Sequence, residues 1–186
     1  LKNEKTSKSK ENNKDKSMTT NYLLEDVLCH GLNIVFCGTA LGKESLKQKV
    51  YYAKKGNQFW PTLARVGLTP RELSPHEYPL MPDFGYGLTD ICKIAFGNDS
   101  ELPTTAFDAQ AFEQKIMHYQ PNILAFTSKR AASEYLGKPV GRVDYGLQQE
   151  TIGKTRLYVL SSPSGLARRW WREDVWEGLI VHSHSL

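Results

Sequence analysis

Apolar residues in this chain fall into short, dense runs separated by glycine, proline and polar stretches. Leu32-Asn-Ile-Val-Phe-Cys37 is rich in β-branched and aromatic residues and stops at Gly38, the pattern of a buried strand. Tyr86 to Ile94 reads as a second short strand running into a loop, Ile123–Phe126 as a third, and Leu157–Leu160 as a last core strand. Between these runs the apolar spacing becomes helical. Phe59, Trp60, Leu63 and Ala64 make one face of a helix from Asn57, a plausible N-cap, to Val66, with Gly67 as its stop. Asp108–Tyr119 is a second helix with Phe112, Ile116 and Met117 inward. Ser128 can cap a third that ends at Gly137, and Arg169–His182 is the last. Leu68–Phe84 contains four prolines and reads as irregular.

Strands alternating with helices predict an α/β fold. The expected architecture is a three-layer α-β-α arrangement around a central, mainly parallel sheet of four or five strands. In such sheets the functional site gathers at the carboxyl ends of the strands. Three loops are therefore expected on one rim: Gly38–Gly42, Asp90–Lys93 and Ser161–Arg168.

Composition narrows the class. The chain has 186 residues, 40% hydrophobic and 24% charged, which suits one compact domain over residues 21–186. No apolar run approaches the ~20 residues of a membrane span. With no apolar segment behind the Lys/Asn/Ser-rich start, no secretory signal is read, and the expected location is intracellular, cytoplasmic or nucleoid if bacterial. The net charge of +4 is mostly local: residues 1–18 hold six Lys against two Glu and one Asp. Residues 1–20 are thus expected to be a disordered basic tail, either a solvated extension or an arm that adds non-specific DNA affinity. Three cysteines without a C-x-x-C pair, and five histidines without metal-ligand spacing, lead us to expect no metal and no cofactor.

The chemistry comes from three motifs in order. Val35-Phe-Cys-Gly-Thr-Ala-Leu-Gly42, then Lys55-Gly-Asn-Gln-Phe-Trp60, then Ser162-Pro-Ser-Gly-Leu-Ala-Arg168 together resemble the mismatch-specific uracil/thymine-DNA glycosylase branch of the uracil-DNA glycosylase superfamily. Asp83–Thr89, His118–Pro121 and Gly146–Gln148 also look like family segments. The resemblance runs from about Leu32 to about Leu179. It implies a monomeric, monofunctional DNA glycosylase of base excision repair. Such an enzyme hydrolyses the N-glycosidic bond of uracil in a G·U mismatch, or of another deaminated base. Its partner is DNA, as a duplex with a mismatched or damaged base or as a single strand, and not a membrane.

This chemistry requires the nucleotide to be flipped out of the stack. It then needs a group that orients water at a sugar with oxocarbenium character, donors to the leaving base, and a wedge for the vacated slot. The first motif departs from the family. Ala40 and Leu41 stand where relatives carry a water-positioning Asn and a Pro, and Ser162 stands where relatives carry Asn or His. Asp90 follows Gly87-Leu-Thr89, where relatives usually hold a non-acidic residue. We expect it to take over the lost role as catalytic carboxylate; its bland alternative is a turn-capping loop residue. Asp83 and Asp144 are weaker rivals, and Lys93 is the one lysine to watch as a nucleophile. The resemblance assigns Gly38, Thr39, Ala40, Tyr52 and Asn57 to the base pocket, with Tyr52 as the stacking ring (Tyr51 its alternative). Backbone N–H groups of Thr39 and Tyr52 are candidate donors to the base. Asn57 is weighed as a base reader against a helix cap. Gly165, Leu166 and Arg168 form the wedge, and Ser162 and Ser164 contact phosphates. Trp170 and Trp171 read as packing residues of the last helix. The alternative function is a weak or inactive DNA damage-binding protein of the same fold. An unrelated phosphate-loop enzyme ranks low, because neither glycine-rich phosphate pattern is present.

Overall fold

A computed structural model of the protein describes residues 21–184; the basic tail at 1–20 lies outside the described residues. Five strands form one sheet: β1 (Ile34–Leu41), β2 (Tyr86–Phe96), β3 (Ile123–Phe126), β4 (Gly146–Ile152) and β5 (Thr155–Val159), in the order β2-β1-β3-β5-β4. β2, β1, β3 and β5 are parallel, and β4 joins β5 antiparallel at the edge. The helices are α1 (Lys43–Gln48), α2 (Phe59–Arg65), α3 (Ala109–Tyr119), α4 (Lys129–Leu136) and α5 (Glu173–His184).

Strand alternation explains the two cores. Ile34 and Phe36 of β1 point to one face with Leu88, where Phe59, Trp60 and Leu63 of α2 and Trp176 and Leu179 of α5 cover them. Val35 and Cys37 point to the other with Leu124, Phe126, Leu157 and Val159, under Phe112 and Ile116 of α3 and Ala131 and Ala132 of α4. With both faces covered, the central strands read as unbroken apolar runs. The cap expected at Ser128 is present, its hydroxyl accepting from the Ala131 N–H at 3.0 Å, and Asp108, read as the first residue of its helix, is that helix's cap, accepting from the Ala111 N–H at 2.9 Å. Among the described residues no helix is long and apolar enough to cross a membrane.

The differences from expectation lie around the rim. Gly38–Leu41 is not a loop but the end of β1, and Asp90–Lys93 lies within β2. Both strands extend because they pair with each other: Gly38 opposite Asp90, Ala40 opposite Cys92, Leu41 opposite Phe96. The helix expected from Arg169 begins at Glu173. Before it, Gly165–Trp170 is a 3₁₀ turn, and the Ser161 hydroxyl bonds both the N–H and the C=O of Arg172, holding that residue off the helix. Leu68–Phe84 is not wholly irregular. Pro75–Phe84 forms a 3₁₀ segment started by a Ser74/Glu77 capping box. α1 and β4 had no expected counterpart.

Candidate active site

The register places the site. Pairing of β1 with β3 ends at Cys37–Phe126, whereas β1 and β2 continue side by side. Asp90 therefore sits one residue beyond the end of the central strands, at the floor of a cleft of about 1170 Å³. Gly38, Thr39, Ala40, Tyr52, Asn57, Thr127, Ser128, Ser162, Ser164, Leu166 and Trp170 line the same cleft. Asp83 and Asp144 are exposed and do not line it.

Asp90 is 4% exposed, and no group among the described residues donates a hydrogen bond to its carboxylate. Burial pushes its pKa up to about 6; Lys93 pulls the value down, Asp26 pushes it up and Lys115 pulls it down. Its neighbour explains how it fits. A Cβ built on Gly38 would overlap Asp90 Oδ1 and would lie 3.5 Å from the Tyr52 hydroxyl. Gly38 thus serves as space for a carboxylate, a different reason from the strand stop read in the sequence.

Tyr52 is held in the left-handed region at φ 54°, a conformation that costs a non-glycine residue about 1 kcal/mol or more. Its flanks enforce it. The Tyr51 carbonyl accepts from Trp60 Nε1 at 3.1 Å, and the Ala53 N–H donates to Ser45 Oγ at 3.0 Å. The Tyr52 N–H itself makes no hydrogen bond among the described residues. One face of its ring stacks on Phe59, with centroids 3.9 Å apart and planes at 15°, and its hydroxyl lies 3.2 Å from Thr127 Oγ1. Burial, then the Asp90 charge, push the phenol well above its ordinary value, so it stays neutral. Tyr51 also borders the cleft, but it is 1% exposed and its hydroxyl donates to the Glu25 carbonyl.

Asn57 combines both expected traits. It lines the cleft, and its Oδ1 accepts the Phe59 N–H at 2.9 Å, as a capping residue would, although α2 starts one residue later than expected. Ala40 presents a methyl group to the cleft, and Thr39 pairs its hydroxyl with Ser128 Oγ at 3.4 Å. On the opposite wall, Ser162 Oγ accepts the Ser164 N–H and Ser164 Oγ accepts the Leu166 N–H, each at 3.3 Å. The Pro163 carbonyl accepts the Gln58 N–H at 2.8 Å, tying this loop to the start of α2. Leu166 is 67% exposed. Gly165 has room for a Cβ, 3.7 Å from the Gly56 carbonyl. Arg168 is exposed, and its side chain has no carboxylate partner among the described residues.

Behind β2 lies a buried ion cluster not foreseen in the sequence. Asp26 pairs with Lys93 and Lys115, each at 2.8 Å, and accepts from Thr89 Oγ1 at 2.7 Å. Burial would raise the Asp26 acid; the two lysines overcome it and hold the carboxyl below its ordinary value. Lys93 also donates to the Tyr51 hydroxyl at 3.0 Å and is not a lining residue of the cleft. Pairing with Asp26 removes it from consideration as a nucleophile. Thr127 and Ser128, at the carboxyl end of β3, were also missed, although the strand-end rule applied to β3 as much as to its neighbours. Trp170 departs from its packing role: it is 54% exposed and lines the cleft, while Trp171 packs against Trp176 at 5.7 Å. Among the described residues no group of three His, Cys, Asp or Glu side chains is placed to hold a metal ion.

The family model of the uracil DNA glycosylase superfamily matches residues 25–180. A candidate uracil DNA glycosylase from Methanosarcina acetivorans, solved in solution by NMR, superposes on 86% of this chain and 96% of its own with a TM-score of 0.60. At 20% identity that likeness concerns the fold. The chain belongs to the uracil DNA glycosylase superfamily. Its class is thereby that of the DNA glycosylases, hydrolases of N-glycosyl bonds whose substrate is DNA.

Proposed function

We propose that the protein is a monofunctional glycosylase of the mismatch-specific branch, removing uracil from G·U pairs with a water positioned by Asp90. The observation that carries this reading is the buried, donor-free Asp90 carboxylate at the cleft floor, accommodated by the bare Cα of Gly38.

The flipped nucleotide enters the cleft with its base between Tyr52 and the wall at Thr39 and Ala40. The Tyr52 ring offers the base the face not taken by Phe59, and its unused N–H donates to the departing base. As the N-glycosidic bond breaks, the electron pair leaves with the base and positive charge develops on the sugar. The Asp90 carboxylate offsets that charge and takes the proton of the water that attacks C1′. Ala40 cannot orient water, and the carboxylate across the β1–β2 pair does so instead. Ser162 and Ser164 already accept backbone N–H groups, so their O–H protons remain to donate to phosphates. Leu166 fills the vacated slot, and Arg168 meets the opposite base or a phosphate.

Single-turnover excision on an oligonucleotide with one G·U pair tests the reading, with Asp90→Ala as the variant. A loss of at least ~100-fold, about 2.7 kcal/mol of barrier, is expected. Equal rates would leave Asp90 structural. No cutting by the wild-type protein, on this pair or on other uracil and deaminated-purine substrates, would turn the reading to a damage-binding protein.

A further inference from the structure

The 3₁₀ turn Gly165–Trp170 carries a second exposed apolar side chain besides Leu166. Trp170 is 54% exposed, while Trp60 and Trp176 are buried and Trp171 is half-buried. The Arg169 guanidinium lies over the Trp170 indole, its Cζ 3.7 Å from the ring centroid. That covers one face of the ring and leaves the rest open toward the cleft that Trp170 lines together with Leu166. Neither Arg168 nor Arg169 has a carboxylate partner among the described residues, whereas the next arginine, Arg172, is paired with Asp174. An aromatic plate backed by a cation, beside two unpaired guanidiniums, suits a ligand with a flat π-face and a phosphate at each repeat.

We propose that Trp170, backed by Arg169, is a stacking platform for an unpaired nucleobase that flanks the flipped nucleotide, and that it gives the protein affinity for single-stranded DNA. This rests on the reading of the cleft as the DNA site. Geometry supports a flanking base rather than the flipped one. Four residues of 3₁₀ helix rise about 8 Å, which sets the indole apart from Leu166. It stands on the loop after β5, whereas the Tyr52 ring stacked on Phe59 comes from the loop before α2. A base can reach an exposed ring of this kind only when it is out of the duplex stack. Base–aromatic stacking tolerates any sequence, and Arg over the far face strengthens it.

The test is binding of a short oligothymidylate, free of uracil, by fluorescence anisotropy at fixed ionic strength. Trp170→Ala is expected to bind about 5- to 150-fold more weakly, while Trp170→Phe, which keeps a ring, retains most of the affinity. The wild-type protein should also show quenching of its exposed indole on binding, lost in both variants. Unchanged affinity in Trp170→Ala, or equal losses in the Ala and Phe variants, would overturn the platform. Since Trp170 is more than half exposed, an unchanged melting temperature serves as the folding check; if it shifts, Trp170→Phe and the quenching signal decide. Uracil excision is measured beside it. Trp170-dependent binding without excision would sink the glycosylase reading and keep the platform. Excision with unchanged binding in Trp170→Ala would sink the platform alone.

Discussion

A carboxylate buried without donors should destabilise the fold that holds it, and the size of the effect follows from the site. In the unfolded chain Asp90 ionises at its ordinary value of 3.8; in the folded protein burial pushes this to about 6. The folded state therefore binds the proton more tightly. Below the unfolded value the group is protonated in both states and costs nothing. Between about 4 and 6 stability falls as pH rises, because only the unfolded chain gives up the proton freely. Above about 6 the penalty is constant. At about 1.4 kcal/mol for each pH unit of the gap, it amounts to roughly 3 kcal/mol. Asp90→Asn has nearly the shape of the protonated acid and never ionises. It should be more stable than the wild type by up to roughly 3 kcal/mol at pH 8, or about 6–12 °C in Tm for a chain of this size. The gain should shrink toward zero near pH 4. Urea unfolding of both proteins at several pH values between 4 and 8 measures it, and the difference cancels every other titrating group. A gain that does not change with pH, or a variant less stable at pH 8, would refute the account of Asp90 as a strained functional charge. Stability gained together with activity lost is the expected mark of such a residue.

The same site supports further expectations. The single-turnover rate should rise with pH through about 6 and level off above it, because only the ionised Asp90 can take the proton; a rate falling across that range would contradict the role. Gly38→Ala drives a methyl group into Asp90 Oδ1 and should cost at least ~100-fold in excision, read by the same assay, along with a lowered Tm. Leu166→Ala should weaken excision from duplex more than from single-stranded substrate, and equal losses would remove it as a wedge. Asp26→Asn strands Lys93 and Lys115 in the interior and should cost about 3–5 kcal/mol in urea unfolding at neutral pH. Because Asp26 holds its proton below its ordinary value, its contribution is present above the unfolded value and should fade as pH drops.

The parts of the fold legible in the sequence are those fixed by local rules. Buried parallel strands announce themselves as apolar runs, and Asp108 and Ser128 announce two helix starts, because a strand covered on both faces and a capped helix each need particular residues at particular places. β4 was illegible for the matching reason: Gly146–Ile152 is an edge strand whose residues alternate between partly buried and exposed, with no apolar run to mark it. The ends of β1 and β2 were misread because glycine at position 38 suggested a turn. Its cause is a side chain 52 residues away, and no local pattern carries that. The cleft residues followed the motifs, and Thr127 and Ser128 could have been added from the strand-end rule. Trp170 could not, since a Trp-Trp pair ahead of a helix says nothing about which indole turns inward.

The ion cluster behind β2 is the least legible feature and the one that makes the site intelligible. Asp26, Lys93 and Lys115 come from three separate segments, so their meeting is a property of the fold. A lone carboxylate as buried as Asp90 would be driven toward the neutral form, which cannot accept a proton from water. Two lysines and two aspartates together carry no net charge. Lys93 and Lys115 act on Asp90 from behind the strand and pull its pKa down, while Asp26 absorbs their direct pairing and keeps them out of the cleft. The carboxylate therefore faces the cleft with no hydrogen bond to quench it and still ionises near neutral pH. A salt bridge to Asp90 itself would also have kept it charged, but it would have occupied the oxygens to which the proposed function assigns the water. Placing the cations one layer back separates the two requirements, a charge that persists and a surface that stays open.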